Sequence, residues 1–218
     1  MMVETFDVLG EGVEIAENVQ AEKSTDFEST ELNNFENKKG VSEVDEARIN
    51  ETSEVLADVF TADVIANWSE MSIEERTAKI NEYYIKAGEK LGIDTKGVIV
   101  EPMPSQKPGS IDLGYNSGDG YIHINQDVMA NPDMLGQVLD TATHEMRHQF
   151  QSDVIENPER FPDIPKEVLD TWRYELDPNN YISPDYDYPA YFKQEIECDA
   201  RDFSADVITS YMEKMNIN

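Results

Sequence analysis

The sequence predicts an α+β fold in which several packed helices accompany a small antiparallel sheet. Between residues 53 and 92 apolar residues recur at helical spacing, and from residue 97 short runs alternate between apolar and polar residues. Helical spacing returns beyond residue 131. With 218 residues the chain is long enough for one domain with an apolar core, plus an appendage.

Residues 1–50 differ in composition from the rest of the chain. They hold 13 Asp and Glu against 4 Lys and Arg, and no apolar repeat continues through them. A segment with this composition buries too little apolar surface to offset the entropy of the chain. We therefore predict a mostly disordered acidic segment over 1–50 and a folded domain over 51–218. A short helix at "GVEIAENVQ" is the alternative for part of the segment.

The charge of the chain limits its partners. Asp and Glu number 46 against 17 Lys and Arg, a formal net charge of −29, and the resulting field opposes binding to nucleic acid or to an anionic membrane. No apolar run approaches the ~18 residues of a membrane span, and the N-terminus lacks a signal-peptide pattern. With a single cysteine, Cys198, these features predict a cytoplasmic protein without disulfides, export independent of a signal peptide being the alternative.

Two scaffold helices are predicted ahead of the sheet. Residues 53–68 place apolar side chains on one helical stripe. The second helix opens with Ser72 and Glu75 in the arrangement of a capping box, and Gly92 provides its C-terminal stop.

Three short strands follow these helices. They are "GVIVEP", "SIDLGY" and "YIHIN", and the turn "NSGDG" joins the last two as a hairpin. Alternation directs Ile122 and Ile124 toward the core and His123 toward the opposite face. We interpret His123 as a polar strand position, with a role as a metal ligand as the alternative.

The second half of the chain is predicted to be mainly helical. Asn131 and Pro132 are typical of the start of a helix, which would run through "MLGQVLDTATHEMRHQFQSDVI". A further helix is predicted for "PKEVLDTWRYEL". After a loop rich in proline and tyrosine, one long helix is predicted for "PAYFKQEIECDARDFSADVITSYMEKM".

The stretch "THEMRH" carries the strongest indication of chemistry. His144 and His148 are four apart, so they lie one turn apart on the same face of a helix, with Cβ atoms roughly 6 Å apart. Two imidazoles at that spacing can bind one zinc ion, whose Zn–N bonds are ~2.1 Å long. Glu145 would project beside the metal, where it can act as a general base on a water molecule. The alternative is a solvated polar face of a helix.

A catalytic zinc site needs a third protein ligand and an open position. The segment "FKQEIECDARDFS" offers Glu195, Glu197 and Asp199 on a predicted helix. Asp199 could instead orient a ligand histidine through its ring N–H. Cys198 is more typical of a packed side chain than of a ligand.

These segments together resemble the zincin metallopeptidases of the glutamate-ligand type. The similarity rests on "HEMRH", on Glu197, Ala200 and Phe203 downstream, and on "YIHIN" as an edge strand before the metal-binding helix. It covers about residues 95–210. More narrowly, the chain is similar to uncharacterised metallopeptidase domains of bacterial and phage proteins, including toxin modules.

The resemblance implies a zincin-like fold and one Zn²⁺ per chain. It implies His144, His148 and Glu197 as metal ligands and Glu145 as the catalytic base. Glu197 is favoured because it stands three residues before Ala200, with Glu195 as the competing third ligand.

The function expected on this basis is zinc-dependent hydrolysis of a peptide or protein substrate. Tyr188 and Tyr191 are candidates for stabilising the oxyanion. Two alternatives remain open: a non-catalytic binding module stabilised by zinc, whose site would be closed by a fourth ligand such as His123 or Asp199, and an acidic interaction protein with a coincidental motif. The arginines Arg147 and Arg201 are expected to pair with nearby carboxylates rather than to hold substrate.

Overall fold

The fold combines a mixed sheet with helices packed around one central helix, which is an α+β arrangement. The computed structural model describes residues 2–7, 39–104 and 110–216, with side chains over 45–104 and 111–216. In chain order the elements are β1 (Met2–Asp7), α1 (Lys39–Val59), α2 (Ala62–Asn67), α3 (Ile73–Leu91), β2 (Gly97–Glu101), β3 (Ser110–Asn116), β4 (Tyr121–Asn125), α4 (Gln126–Ala130), α5 (Leu135–Glu156), α6 (Lys166–Leu176), α7 (Tyr188–Phe192) and α8 (Glu195–Met215). Short 3₁₀ turns lie at Trp68–Glu70, Pro132–Met134 and Pro158–Arg160.

The described strands form one sheet in the order β1-β3-β4-β2. β3 and β4 form the antiparallel hairpin predicted from the sequence, with Gly118 and Gly120 in its turn at φ 73° and 94°. β1 is antiparallel to β3, whereas β2 is parallel to β4. Because β2 pairs along its other side, β4 is an internal strand, and the expectation of an edge strand before the metal-binding helix is wrong.

The central helix α5 is enclosed on all sides. β3 and β4 pack against it, as do α3, α6 and α8, and every residue over 141–151 is buried. At Gly114 on β3 the strand lies so close to α5 that an added Cβ would stand 2.6 Å from the Cγ2 of Thr141. The polar side chains of α5 are therefore as buried as its apolar stripe, so His144 and His148 lie in the interior and not on a solvated face of the helix.

The helices of the N-terminal half agree with the sequence in part. Ser72 caps α3, its capping box with Glu75 is present, and Gly92 ends the helix at φ 71°. The single helix expected over 53–68 is instead two helices. Its interruption has a local cause, since the Thr61 side chain accepts a hydrogen bond from the backbone N of Val64 and starts α2.

The boundary expected at residue 50 falls inside α1, which begins at Lys39. Residues 39–50 are therefore helical and 2–7 form β1, so these parts of the acidic segment are ordered. Pairing with β3 and ion pairing by Asp45, both distant in sequence, provide stabilisation that local composition does not indicate. Residues 8–38, with the alternative helix at "GVEIAENVQ", lie outside the described residues.

The long C-terminal helix expected from residue 189 is divided into α7 and α8. Gln194 adopts an extended backbone (φ −60°, ψ 135°), and its side-chain amide bonds both the backbone N and the backbone O of Ile182. A carboxylate from α6 then caps the start of α8, because Glu175 accepts hydrogen bonds from the backbone N of Glu195 and of Ile196. These contacts fix which face of α8 meets α5.

None of the helices over the described residues combines the length and apolar character of a membrane span.

Candidate metal centre

Two imidazoles meet on one face of α5. His144 and His148 are one turn apart, and each is about 1% exposed. Their Nε2 atoms lie 3.0 Å apart, with the rings nearly perpendicular at 82°. The helical spacing thus brings both ring nitrogens to a common point, as the sequence predicted.

A carboxylate from α8 completes this arrangement. Oε2 of Glu197 lies 3.6 Å from Nε2 of His144 and 3.5 Å from Nε2 of His148, and Glu197 is 0% exposed. We call these three residues the metal cluster. A zinc ion bonded at about 2.0–2.1 Å in tetrahedral geometry holds its ligand atoms about 3.3 Å apart, so the three separations have the size that one ion requires.

The choice between the two glutamates of α8 follows from the start of that helix. Glu195 is the first residue of α8 and is exposed, whereas the side chain of Glu197 is directed into the interior toward α5. Among the described residues, the group of His, Cys, Asp or Glu side chains that could hold a metal consists of the metal cluster alone. Glu195, Asp199 and His123 do not belong to it.

A hydrogen-bond network determines the tautomer of His148. The side-chain amide of Gln151 donates to the backbone O of Ile196 at 2.9 Å and to Oδ2 of Asp199 at 2.7 Å. Its Oε1 therefore faces His148, and Nδ1 of His148 must donate to it across 2.7 Å. In the neutral imidazole this leaves a lone pair on Nε2, which is the form that binds a metal ion.

In this neutral form of His148 the lone pair on Nε2 is available to a cation. Oε2 of Glu197 lies 3.5 Å from that nitrogen, and both side chains are buried. A cation bound between them would be stabilised by the ring nitrogen and by the carboxylate charge. The donor set, two imidazole nitrogens and one carboxylate oxygen, is that of a zinc site with three protein ligands.

The second oxygen of Glu197 contacts a tyrosine that the sequence analysis did not identify. The hydroxyl of Tyr181 donates to Oε1 of Glu197 at 3.3 Å. Burial raises the pKa of Tyr181, and the charges of Glu197 and Glu145 raise it further, so the phenol stays protonated. Burial also acts to raise the pKa of Glu197, but His148 and His144 outweigh it and hold that pKa well below its ordinary value.

Glu145 lies inside the same buried region, at 1% exposure. Its charge contributes to the raised pKa of Tyr181, together with that of Glu197. Its charge also contributes to the raised pKa of Tyr84, and on α5 Glu145 directly follows His144.

Arg147, the residue before His148 in the motif, has a separate role. Arg147 bonds two carboxylates, Asp199 at 2.8 and 2.9 Å and Asp45 at 2.5 and 3.2 Å. We call Asp45, Arg147 and Asp199 the arginine cluster. Burial acts to lower the pKa of Arg147, but both carboxylates outweigh it and raise that pKa above its ordinary value. The expected pairing of Arg147 with carboxylates is confirmed.

Asp199 was a candidate for orienting a ligand histidine directly. It acts on His148 indirectly, because the side-chain amide of Gln151 bonds both Asp199 and His148. An amide three residues after a histidine on a helix is a weak signal, which is why Gln151 was missed. For Tyr181 the sequence carries no signal beyond its place in a tyrosine-rich loop.

The other candidate residues are not members of the metal cluster, although the ring of Tyr191 packs against that of Tyr181 at 6.4 Å. Nδ1 of His123 bonds Glu101 at 2.8 Å and its ring stacks on Tyr115 at 4.2 Å, so it is a satisfied strand residue. Tyr188 is 41% exposed and Tyr191 is buried against it. Cys198 is half-buried with Sγ near the backbone O of Phe192. The guanidinium of Arg201 lies over the ring of Phe192 at 3.7 Å, and its charge acts to lower the pKa of Asp202.

Two cavities differ in their relation to this centre. The larger, of about 610 Å³, lies between α1 and the end of α3, away from the motif. The smaller, of about 440 Å³, lies along the C-terminal end of α5 and includes Tyr181, Ser152 and Ile155. Ser152 is one turn beyond His148, and Tyr181 separates the cavity from Glu197. We call this smaller cavity the cleft.

Comparisons with protein-family models, with curated proteins and with solved structures find no match to this chain.

Proposed function

We propose that this protein is a zinc-dependent peptidase of zincin-like fold in which Glu145 is the general base. The observation that carries the proposal is the convergence of His144, His148 and Glu197, whose ligand atoms lie 3.0 to 3.6 Å apart at an interior point. The α+β fold and the place of the motif on a central helix support the resemblance to zincins.

His144, His148 and Glu197 would hold one Zn²⁺ per chain. Zinc in such a site lowers the pKa of its bound water toward about 7 and polarises a carbonyl group. Over the described ranges no fourth His, Cys, Asp or Glu joins the three ligands. A set of three ligands with an open position is typical of catalytic rather than structural zinc sites.

The side chains around the ligands have distinct tasks in peptide hydrolysis. Glu145 takes the proton of the attacking water and returns it to the nitrogen of the leaving amine. Tyr181, kept protonated by its surroundings, donates a hydrogen bond to the oxyanion that forms at the carbonyl. The cleft beside Tyr181 is where a peptide chain would lie.

A second candidate function is a binding module that zinc stabilises without catalysis. The observation that favours it is burial, since the metal cluster and Glu145 are each 0 or 1% exposed. A structural site needs no path for substrate, whereas a catalytic one requires Tyr181 to move and open the cleft toward Glu197.

The variant Glu145→Gln separates the two candidates. It keeps the size of the side chain and removes the base, so zinc content should stay the same while hydrolysis of a mixed set of quenched fluorescent peptides falls by about 10²- to 10⁴-fold. Glu74→Gln, a change of equal charge at an exposed position on α3, is the control and should leave turnover unchanged. Equal turnover in Glu145→Gln and wild type would refute the assignment of Glu145, and absence of hydrolysis in zinc-loaded wild type would favour the binding module.

A further inference from the structure

We propose that the N-terminal helix α1 positions the metal centre through Asp45. The route consists of hydrogen bonds from Asp45 to Arg147, from Arg147 to Asp199, from Asp199 to Gln151 and from Gln151 to His148. The inference rests on the proposed metal site, and it does not depend on whether the site is catalytic.

The first contact joins residues 102 positions apart in sequence. Nη2 and Nη1 of Arg147 donate to Oδ2 and Oδ1 of Asp45 at 2.5 and 3.2 Å. Asp45 is itself held by Arg48, which donates to its Oδ1 at 3.1 Å and also bonds Asp163. The carboxylate thus enters the interior in one orientation, as part of α1.

The guanidinium transmits that orientation because its geometry is rigid. Arg147 presents Nε and Nη2 to the two oxygens of Asp199 at 2.8 and 2.9 Å, a bidentate pair. The ring centroids of Phe150 and Phe203 each lie 4.7 Å from its central carbon. A planar guanidinium in contact with both rings fixes the position of Asp199.

Asp199 then fixes the amide that orients the ligand. Its Oδ2 accepts from Arg147 and, at 2.7 Å, from Nε2 of Gln151. With its amide group committed to Asp199 and to the backbone O of Ile196, Gln151 directs Oε1 to Nδ1 of His148. That hydrogen bond sets the tautomer and the ring angle of His148, and loss of such support to a ligand histidine weakens metal binding about 10- to 100-fold.

The charges of the arginine cluster explain why α1 contributes to it. Arg147 carries one positive charge against the two carboxylates, and all three groups are buried or nearly so. Removal of the Asp45 carboxylate therefore leaves Arg147 and Asp199 as a neutral pair, but the guanidinium loses its hydrogen bonds to α1. Any event that separates the start of α1 from α5, by a partner or by cleavage, would lower the affinity of the metal centre without touching a ligand.

The test is a double-mutant cycle on zinc affinity in the full chain, measured by competition with a fluorescent chelator at neutral pH. Asp45→Asn should weaken zinc binding about 10-fold, and Gln151→Met, which removes the bond to His148, about 10- to 100-fold. Because Asp45 acts through Gln151, adding Asp45→Asn to Gln151→Met should cause no further loss. The charge-matched control is Glu46→Gln, at the exposed neighbour of Asp45, and it should leave the affinity unchanged.

Thermal melting of the metal-free variants separates positioning from folding. If Asp45→Asn does not fold, Asp45→Glu, which keeps the charge and displaces the guanidinium, takes its place in the cycle. Affinity equal to wild type, or the same loss in both backgrounds, would overturn the link. Failure of wild type to bind zinc would overturn the metal site itself, and with it this inference.

Discussion

The metal cluster and the arginine cluster lie side by side between α5 and α8, and they differ in how their charges are satisfied. In the arginine cluster four donor-acceptor pairs of 2.5 to 3.2 Å compensate the buried guanidinium. In the metal cluster two ring nitrogens and a carboxylate oxygen lie 3.0–3.6 Å from one another, an arrangement that could hold one metal ion.

The difference indicates the role of each cluster. A buried group whose partners come from the same chain is a structural feature, complete when the chain has folded. Two imidazole nitrogens and a carboxylate oxygen that lie this close together in the interior could hold a metal ion. The five-residue motif "HEMRH" therefore contributes to both clusters, its histidines to the metal cluster and its arginine to the arginine cluster.

The largest effect is expected on the structural side. Arg147→Met leaves two carboxylates buried without their partner and should lower the free energy of unfolding by about 3–5 kcal/mol. Chemical denaturation of the metal-free protein measures it. The exposed Arg173 is the control, and Arg173→Met should change stability by no more than about 0.5 kcal/mol. A loss of similar size in both variants would show that the arginine cluster contributes little.

On the metal side the sharpest comparison is between two glutamates of α8. Glu197→Gln removes a ligand oxygen of the cluster. Loss of a residue that only supports a ligand weakens metal binding by up to about 100-fold, so loss of the ligand itself should lower zinc affinity by at least that factor. Glu195→Gln changes the same charge at an exposed position and should leave affinity unchanged. Chelator competition measures both, and the reverse ranking would make Glu195 the third ligand.

The smallest expected effect concerns the tyrosines. Tyr181→Phe removes the hydroxyl that contacts Glu197, and turnover should fall about 10²-fold if that hydroxyl stabilises the oxyanion. Tyr188→Phe alters an exposed ring and should retain full turnover. Steady-state kinetics on one peptide decides between them, and equal rates for Tyr181→Phe and wild type would remove Tyr181 from the mechanism.

The sequence predicts what depends on neighbours along the chain. The capping box at Ser72, the stop at Gly92 and the hairpin around Gly118 are each determined within a few residues, and the structure has all three. The meeting of His144 and His148 follows from helical spacing alone. These predictions needed no knowledge of tertiary structure.

Contacts between distant segments could not be predicted in the same way. The pairing of β1 with β3 and the bond from Asp45 to Arg147 join acidic segments of low hydrophobicity to a core more than 100 residues away. The selection of Glu197 over Glu195 depends on the extended backbone at Gln194, which sets the first turn of α8. Composition predicted disorder for the segment that contains Asp45, because the composition of a segment carries no information about its partners elsewhere in the chain.

The central claim is that the metal cluster holds one zinc ion, and the most direct measurement is the zinc content per chain of protein purified without added metal. Mass spectrometry of the native protein, with metal analysis alongside, would provide it. The account predicts about one zinc per chain, removed by a strong chelator and restored on titration. No zinc in the purified protein and no binding on titration at neutral pH would contradict the account and leave His144, His148 and Glu197 a buried polar contact.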